Sequence, residues 1–274
     1  MSVHEAAERS RIRVPSAVRE LERWRTPAFV ALSFVLALCG WQVMSLAFDP
    51  YLIPPPYQVA EAAIPMIKDG ELLRNTSISL VRVAVGFVSG SLLAVLVGIP
   101  MGRIRLINDV LDPIIELLRY LSPTAMIPIA VIWFGIGELA KYFLIFWGTF
   151  FIVLINTAAG VARTPIARQR AAQCLGATSL QIFVLVILPS AIPYVIVGMR
   201  IAMASSFMSI IPAEILAADS GLGYLLQTAG LLLQTDRIFV ALAAISIIGF
   251  ITDRLFRWAA NHTLSRYMER LALP

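Results

Sequence analysis

Runs of about twenty residues without a single charge recur along this chain, and they constrain its fold more than any other feature. A helix needs roughly 20 apolar residues to cross the hydrocarbon of a bilayer. Ala28 to Phe48 supplies 21 such residues, Val83 to Gly102 supplies 20, and Tyr142 to Ala162 supplies 21. Tyr120 to Gly137 adds 18, and Ala171 to Met199 is uncharged for 29. The whole chain is 59% apolar and 14% charged over 274 residues, where soluble domains have roughly 45–50% and 25%. A mean hydropathy of +0.81 agrees. In lipid a backbone must satisfy its own hydrogen bonds, so the expected class is all-α: a polytopic membrane protein with about six transmembrane helices.

The spans are expected at 28–48, 78–102, 114–134, 142–162, 189–213 and 238–258. The third begins before its uncharged run if Glu116 and Arg119 sit at a polar end. Pro189 and Pro193 place the start of the fifth, because proline suits a helix's first turn. Gly135-Ile136-Gly137 is a tight-turn signal that makes a hairpin of the third and fourth. Ahead of the membrane domain (28–258) lies a basic segment, 1–27, and behind it a tail, 259–274. Between Pro50 and Ser77, apolar Val59, Ala62, Ala63, Met66 and Ile67 recur at helical spacing, which predicts a short amphipathic helix on the membrane surface.

Charge placement sets the direction. With the head inside, segments 1–26, 103–113, 163–188 and 253–274 hold fifteen Lys or Arg; the opposite segments hold Lys68, Arg74, Lys141 and Arg237. The positive-inside rule therefore puts both termini in the cytoplasm. The net charge of +5 is spread over loops and tails rather than one folded face, so no nucleic-acid partner is expected and the lipid bilayer is.

Several chemistries are missing. The two histidines, His4 and His262, both lie in tails, so no metal or catalytic histidine cluster can be assembled. No Gly-x-Ser-x-Gly elbow occurs, and neither Lys68 nor Lys141 follows a glycine as a phosphate-binding loop requires. Cys39 and Cys174 give no disulfide framework. The chain is not expected to be an enzyme.

Three constellations remain. Gly86, Gly90, Ala94, Gly98 and Gly102 recur every four residues along the second span, a small-residue ridge. Lipid gives helices no hydrophobic reason to associate, so such ridges serve close helix packing. Arg200 falls within the fifth span, where an arginine costs about 2.5–3.5 kcal/mol on insertion scales. Ala202, Ser205, Ser206 and Ser209 form a small polar stripe on the other side of the same helix. A translocation pathway along Arg200 or along Ser205 and Ser209, and a structural pairing of Arg200, all remain open at this point. Lastly, the 163–188 loop is long, and its alanine-rich start at Ala171-Ala172 is stopped by Gly176 as by a C-cap. A short apolar helix outside lipid wants a protein socket.

This loop resembles the "EAA" signature of binding-protein-dependent ABC importer permeases. Ala171, Ala172, Gly176, Leu188 and Pro189 fall on its positions, with Leu175 beside them; Arg170 stands where the family usually has glutamate. Trp133-Phe134-Gly135-Ile136-Gly137-Glu138, Arg200-Ile201-Ala202, Ala213-Glu214 and Ser220-Gly221-Leu222-Gly223-Tyr224 are similar to the nitrate/sulfonate/taurine branch. The resemblance implies a permease in the bacterial inner membrane that imports a small anion by alternating access. It implies two cytoplasmic ATPase subunits, a second permease copy and a periplasmic solute-binding protein. ATP and Mg would be held by the ATPases, and no cofactor by this chain. The competing reading, a passive channel or secondary transporter, leaves the inner loop helix without a task.

Overall fold

The structure, a computed structural model, describes residues 16–49 and 51–268. The expectations for His4 and the first arginines of the basic head, and for the tail beyond 268, fall outside these residues. Among the described residues every regular element is helical. The chain divides into two compact units, 1–60 and 61–274.

In the first unit, α1 (Ser16–Ala47) carries the first apolar run. Phe34, Leu36, Val43 and Leu46 on it are exposed, as a helix facing acyl chains requires. The Trp41 indole donates to the Pro54 carbonyl at 3.1 Å, tying the extended prolines to the helix. The short helix expected between Pro50 and Ser77 is found as α2 (Pro56–Lys68), which crosses the division between the units at residue 60 and has Val59 and Met66 buried.

The core of the second unit is set by α3 (Glu71–Arg103) and α6 (Glu138–Ala162). Their contacts advance together: Gly86 faces Ile145, Gly90 faces Thr149, Gly98 faces Thr157 and Gly102 faces Val161. The two helices are therefore parallel, and the chain joining them must travel back along their whole length. That return is made by α4 (Arg105–Leu118) and α5 (Ile127–Phe134). The single third span expected at 114–134 is thus two helices. Pro123 disfavours helical backbone at Ser122, and the intervening turn is closed by Ala125 N–H donating to the Ser122 carbonyl and hydroxyl. On α4, buried Ile115 and half-buried Ile107, Leu111 and Leu118 share one face and pack on the α3–α6 core, while Asp109, Asp112 and Glu116 stay exposed. Gly135, with φ of +73°, ends α5 and starts the hairpin onto α6.

After α7 (Ile166–Cys174) and a four-residue turn, α8 (Ser179–Ile182), the chain passes through one π turn, Phe183–Ile187, into α9 (Leu188–Ala217). Helix thus runs on from Ser179, ten residues before the expected start at Pro189. Proline removes an N–H from the ladder; the Leu188 N–H reaches back to the Phe183 carbonyl, and the Ser190 hydroxyl takes the Val186 carbonyl at 2.6 Å. The wider turn absorbs the proline, so the helix does not end there. α9 runs antiparallel to α6, with Tyr194 against Gly160 and Ser209 against Gly148. α10 (Leu222–Leu231) and α11 (Thr235–Met268) complete the unit. Among the described residues, four helical stretches are long and apolar enough to cross a membrane: 71–103, 138–162, 179–215 and 235–262.

Candidate functional site

The 163–188 loop folds by local rules. Gly176, φ +79°, follows α7 in the left-handed region that glycine takes without strain. Its N–H bonds the Gln173 carbonyl at 2.9 Å and the Ala177 N–H bonds the Ala172 carbonyl at 3.1 Å, the two bonds of a Schellman stop. Thr178 and Gln181 then form a reciprocal capping box that restarts the helix. Ala172 and Ala177 pack inward on Val161, Ile182 and Ile187. Arg170 and Ala171 face out, as do Ile166, Leu175 (87% exposed) and Leu180. Leu188 and Pro189 lie half-buried where the loop becomes the spanning helix.

The glycine ridge lies against α6. A Cβ on Gly90 would stand 3.0 Å from the Phe146 carbonyl oxygen and from Thr149 Cβ, so a side chain there is tightly opposed by α6. Ser206 and Ser209 lie buried, with Thr149 and Ser206 hydroxyls 2.8 Å apart and the Ser205 hydroxyl donating to the Gly148 carbonyl at 3.0 Å. The polar stripe of α9 is therefore largely consumed by packing on α6. Arg200 sits on the other face, 51% exposed, with its Nε 3.3 Å from Asp253 on α11. The structure does not bring Arg200 together with Ser205 and Ser209.

At the opposite end of the bundle from α7 lies a cluster that the sequence did not reveal. Snorkelling to a span end is the natural reading of Arg82, yet its side chain is only 3% exposed. Its Nη2 and Nε donate to the two oxygens of Glu138 at 2.6 and 2.7 Å, and its Nη1 donates to Glu214 at 2.8 Å and to the Ser220 carbonyl at 2.6 Å. Lys141 donates to Glu138 at 2.8 Å, so two cations face two carboxylates. Glu214 is fully buried and also accepts from the Ser79 hydroxyl and the Gly223 N–H. The Leu222 N–H donates to the Ser79 hydroxyl and the Gly221 N–H to Asn75, locking the 218–223 turn down. A Cβ at Gly221 would overlap the Glu214 carboxylate. Charge balance and full hydrogen bonding make this burial tolerable in a low dielectric. Its sequence signal was the set of short motifs around Glu138, Glu214 and Ser220-Gly221-Leu222-Gly223, which converge here.

A cleft of about 460 Å³ opens where α4 gives way to the 119–126 turn, against the middle of α6 and α9. Arg119, Ser122, Trp147, Phe151, Ile155 and Ser205 are among its walls. The Trp147 indole donates to the Leu121 carbonyl at 2.9 Å, which fixes the turn to α6. Among the described residues no group of His, Cys, Asp and Glu could hold a metal ion.

Comparison with known proteins places this arrangement in a recognisable context. Residues 90–264 match the family described as binding-protein-dependent transport system inner membrane component. The chain is 37% identical over 239 residues to a probable ABC transporter permease protein of Brucella abortus, covering 87% of this chain and 95% of that one. It is 38% identical over 241 residues to the taurine transport system permease protein of Escherichia coli, covering 84% and 88%. Its fold is similar to a chain of the inward-facing MetNI methionine ABC transporter, with a TM-score of 0.55 at 19% identity over 74% of this chain and 98% of that one.

Proposed function

Because this chain belongs to the binding-protein-dependent transport system inner membrane components, we propose that it conducts a small anion of the taurine, sulfonate or nitrate type into the cytoplasm. It is a permease subunit of an ABC importer in the inner membrane; it is not an enzyme, and a separate subunit hydrolyses ATP. The family works with an ATPase and a solute-binding protein. Two copies of the permease, each engaging one ATPase that holds ATP and Mg, complete the assembly. The 163–188 loop faces the cytoplasm, as the fifteen-to-four distribution of basic residues requires.

One observation carries the coupling. α7 is a built, sharply stopped helix that, among the described residues, leaves Ala171 and, at its stop, Leu175 exposed one turn apart, with Ile166 exposed at its start. Exposed apolar side chains outside lipid are stable when a partner covers them. In this assembly α7 seats in a groove of the ATPase, and closure of the ATPases on ATP rocks the spans between inward- and outward-open states. Arg170 replaces the acidic residue usual at this position, so the matching part of the groove is acidic or neutral. The cargo class rests on the similarity to the taurine permease and on the short motifs shared with that branch.

The test is reconstitution of the permease with its ATPase and binding protein in vesicles loaded with ATP. Taurine or nitrate uptake that depends on ATP and on the binding protein is expected. Transport of a solute without a sulfonate, carboxylate or nitrate group in preference to every such oxyanion offered would overturn the cargo class, and uptake without ATP would overturn the coupling.

A further inference from the structure

We propose that the cleft at the 119–126 break is the cargo-binding station of the pathway, with Arg119 as the group that receives the anion. The proposal deepens the anion-importer reading and rests on it.

Depth is the first argument. Trp147, which holds the turn through the Leu121 carbonyl, lies nine residues into α6, about 13 Å from its start at 1.5 Å per residue. Fifteen more residues, about 22 Å, separate it from the end of α6 at Ala162. The break therefore lies inside the crossing length of α6, about 5 Å from its midpoint toward the Glu138 end. Irregular backbone at that depth is tolerated only where it is buried in protein or lines a watery cavity, and discontinuous helices at the midplane are where transporters place cargo. Here the break does line a cavity, and its 460 Å³ is ample for a small anion.

Charge is the second argument. Among the described lining residues Arg119 alone is charged. Its Nη2 stands 3.3 Å from Glu116, one turn back on α4, and 3.1 Å from the Tyr120 hydroxyl. The Glu116 contact is long and its carboxylate is 60% exposed, unlike the short, enclosed Arg82–Glu214 pair. A planar guanidinium in this loose pairing can exchange Glu116 for the two oxygens of a sulfonate or carboxylate. Trp147, Phe151 and Ile155 line the cavity beside Arg119 and suit the carbon portion of an organic anion. Arg200 is held at a different level, by Asp253 on α11, and does not line this cavity.

The experiment uses the full reconstituted complex with taurine and nitrate as probes. Arg119→Gln should lower uptake at subsaturating probe by roughly 10- to 100-fold, the scale of one charge-assisted hydrogen bond. Arg119→Lys should recover part of the loss. In a background of Cys39→Ser and Cys174→Ser, Arg119→Cys should react with a small charged thiol reagent, and saturating taurine with binding protein should slow that reaction. Wild-type rates in Arg119→Gln, or labelling of Arg119→Cys indifferent to cargo, would overturn this site while leaving the importer reading intact. A wild-type complex that carries only solutes without an anionic group would overturn both.

Discussion

Arg82 and Glu214 lie 132 residues apart in sequence and 2.8 Å apart in space, with side chains 3% and 0% exposed. The pair closes α3 onto α9, and Glu138 brings α6 to the same guanidinium. Removing Arg82 leaves Glu214 charged, fully buried and without its cation, which typically costs about 3–5 kcal/mol. Arg82→Met should therefore lower the unfolding midpoint of the purified protein sharply. Ser79→Ala removes one neutral donor to Glu214 and should cost about 1 kcal/mol. Equal midpoints for the two variants would show that the cluster is solvated.

Gly90 stands at the centre of the α3–α6 contact. Gly90→Leu must push α6 away or strain its own rotamer, an overpacking of about 1–3 kcal/mol, and should yield poorly assembled protein. Val88→Leu enlarges a side chain that is 60% exposed and should be tolerated. Comparable yields by size-exclusion chromatography would show that the ridge does not need its glycines.

The loop separates folding from docking residue by residue. Ala172 packs on the chain's own Val161 and Ile187, so Ala172→Asp should destabilise the loop itself, burying a charge without a partner. Gly176→Val meets no neighbour within 4 Å, yet forces a β-branched residue to positive φ at about 1–3 kcal/mol. Leu175→Ser touches neither contact. It should insert and fold normally while losing ATPase co-purification and transport, and Arg170→Glu should weaken the complex against an acidic groove. Full transport by Leu175→Ser would remove that face from the coupling surface.

Orientation can be read with the protein's own thiols. Cys174 is exposed on α7 and should react with an impermeant maleimide only after permeabilisation, whereas Gln58→Cys should react in intact cells. Reversal of the two patterns would invert the topology.

What the sequence made legible and what it hid follow from the range of each signal. The apolar runs report burial in lipid directly, and Gly176 announced its positive φ because few other residues accept one. The ridge from Gly86 to Gly102 was visible as a period of four, although its partner was not. Hydropathy is blind to backbone continuity, so it could see neither the break at Ser122-Pro123 nor the π turn that carries helix past Pro189. It also treats a charged residue near a span end as wet, so it gives no sign that Arg82 is buried. Its carboxylate partners lie 56 and 132 residues away, beyond any local pattern.

The stretch from Ser179 to Ile215 is helical for 37 residues, roughly 55 Å at 1.5 Å per residue. Mechanically it is a beam. Its far end is pinned by the Arg82–Glu214 ion pair, and α6 forms a bearing along it from Tyr194 to Ser209. The loop end projects past that bearing, with the π turn just inside the overhang. A sideways load applied at α7 is absorbed either by torque against the pinned end or by flexure at the wider, less regularly bonded turn. A π turn is where a helix bends most readily, so under the coupling proposed above the turn at Phe183–Ile187 would set how much of a movement at α7 reaches the rest of the beam.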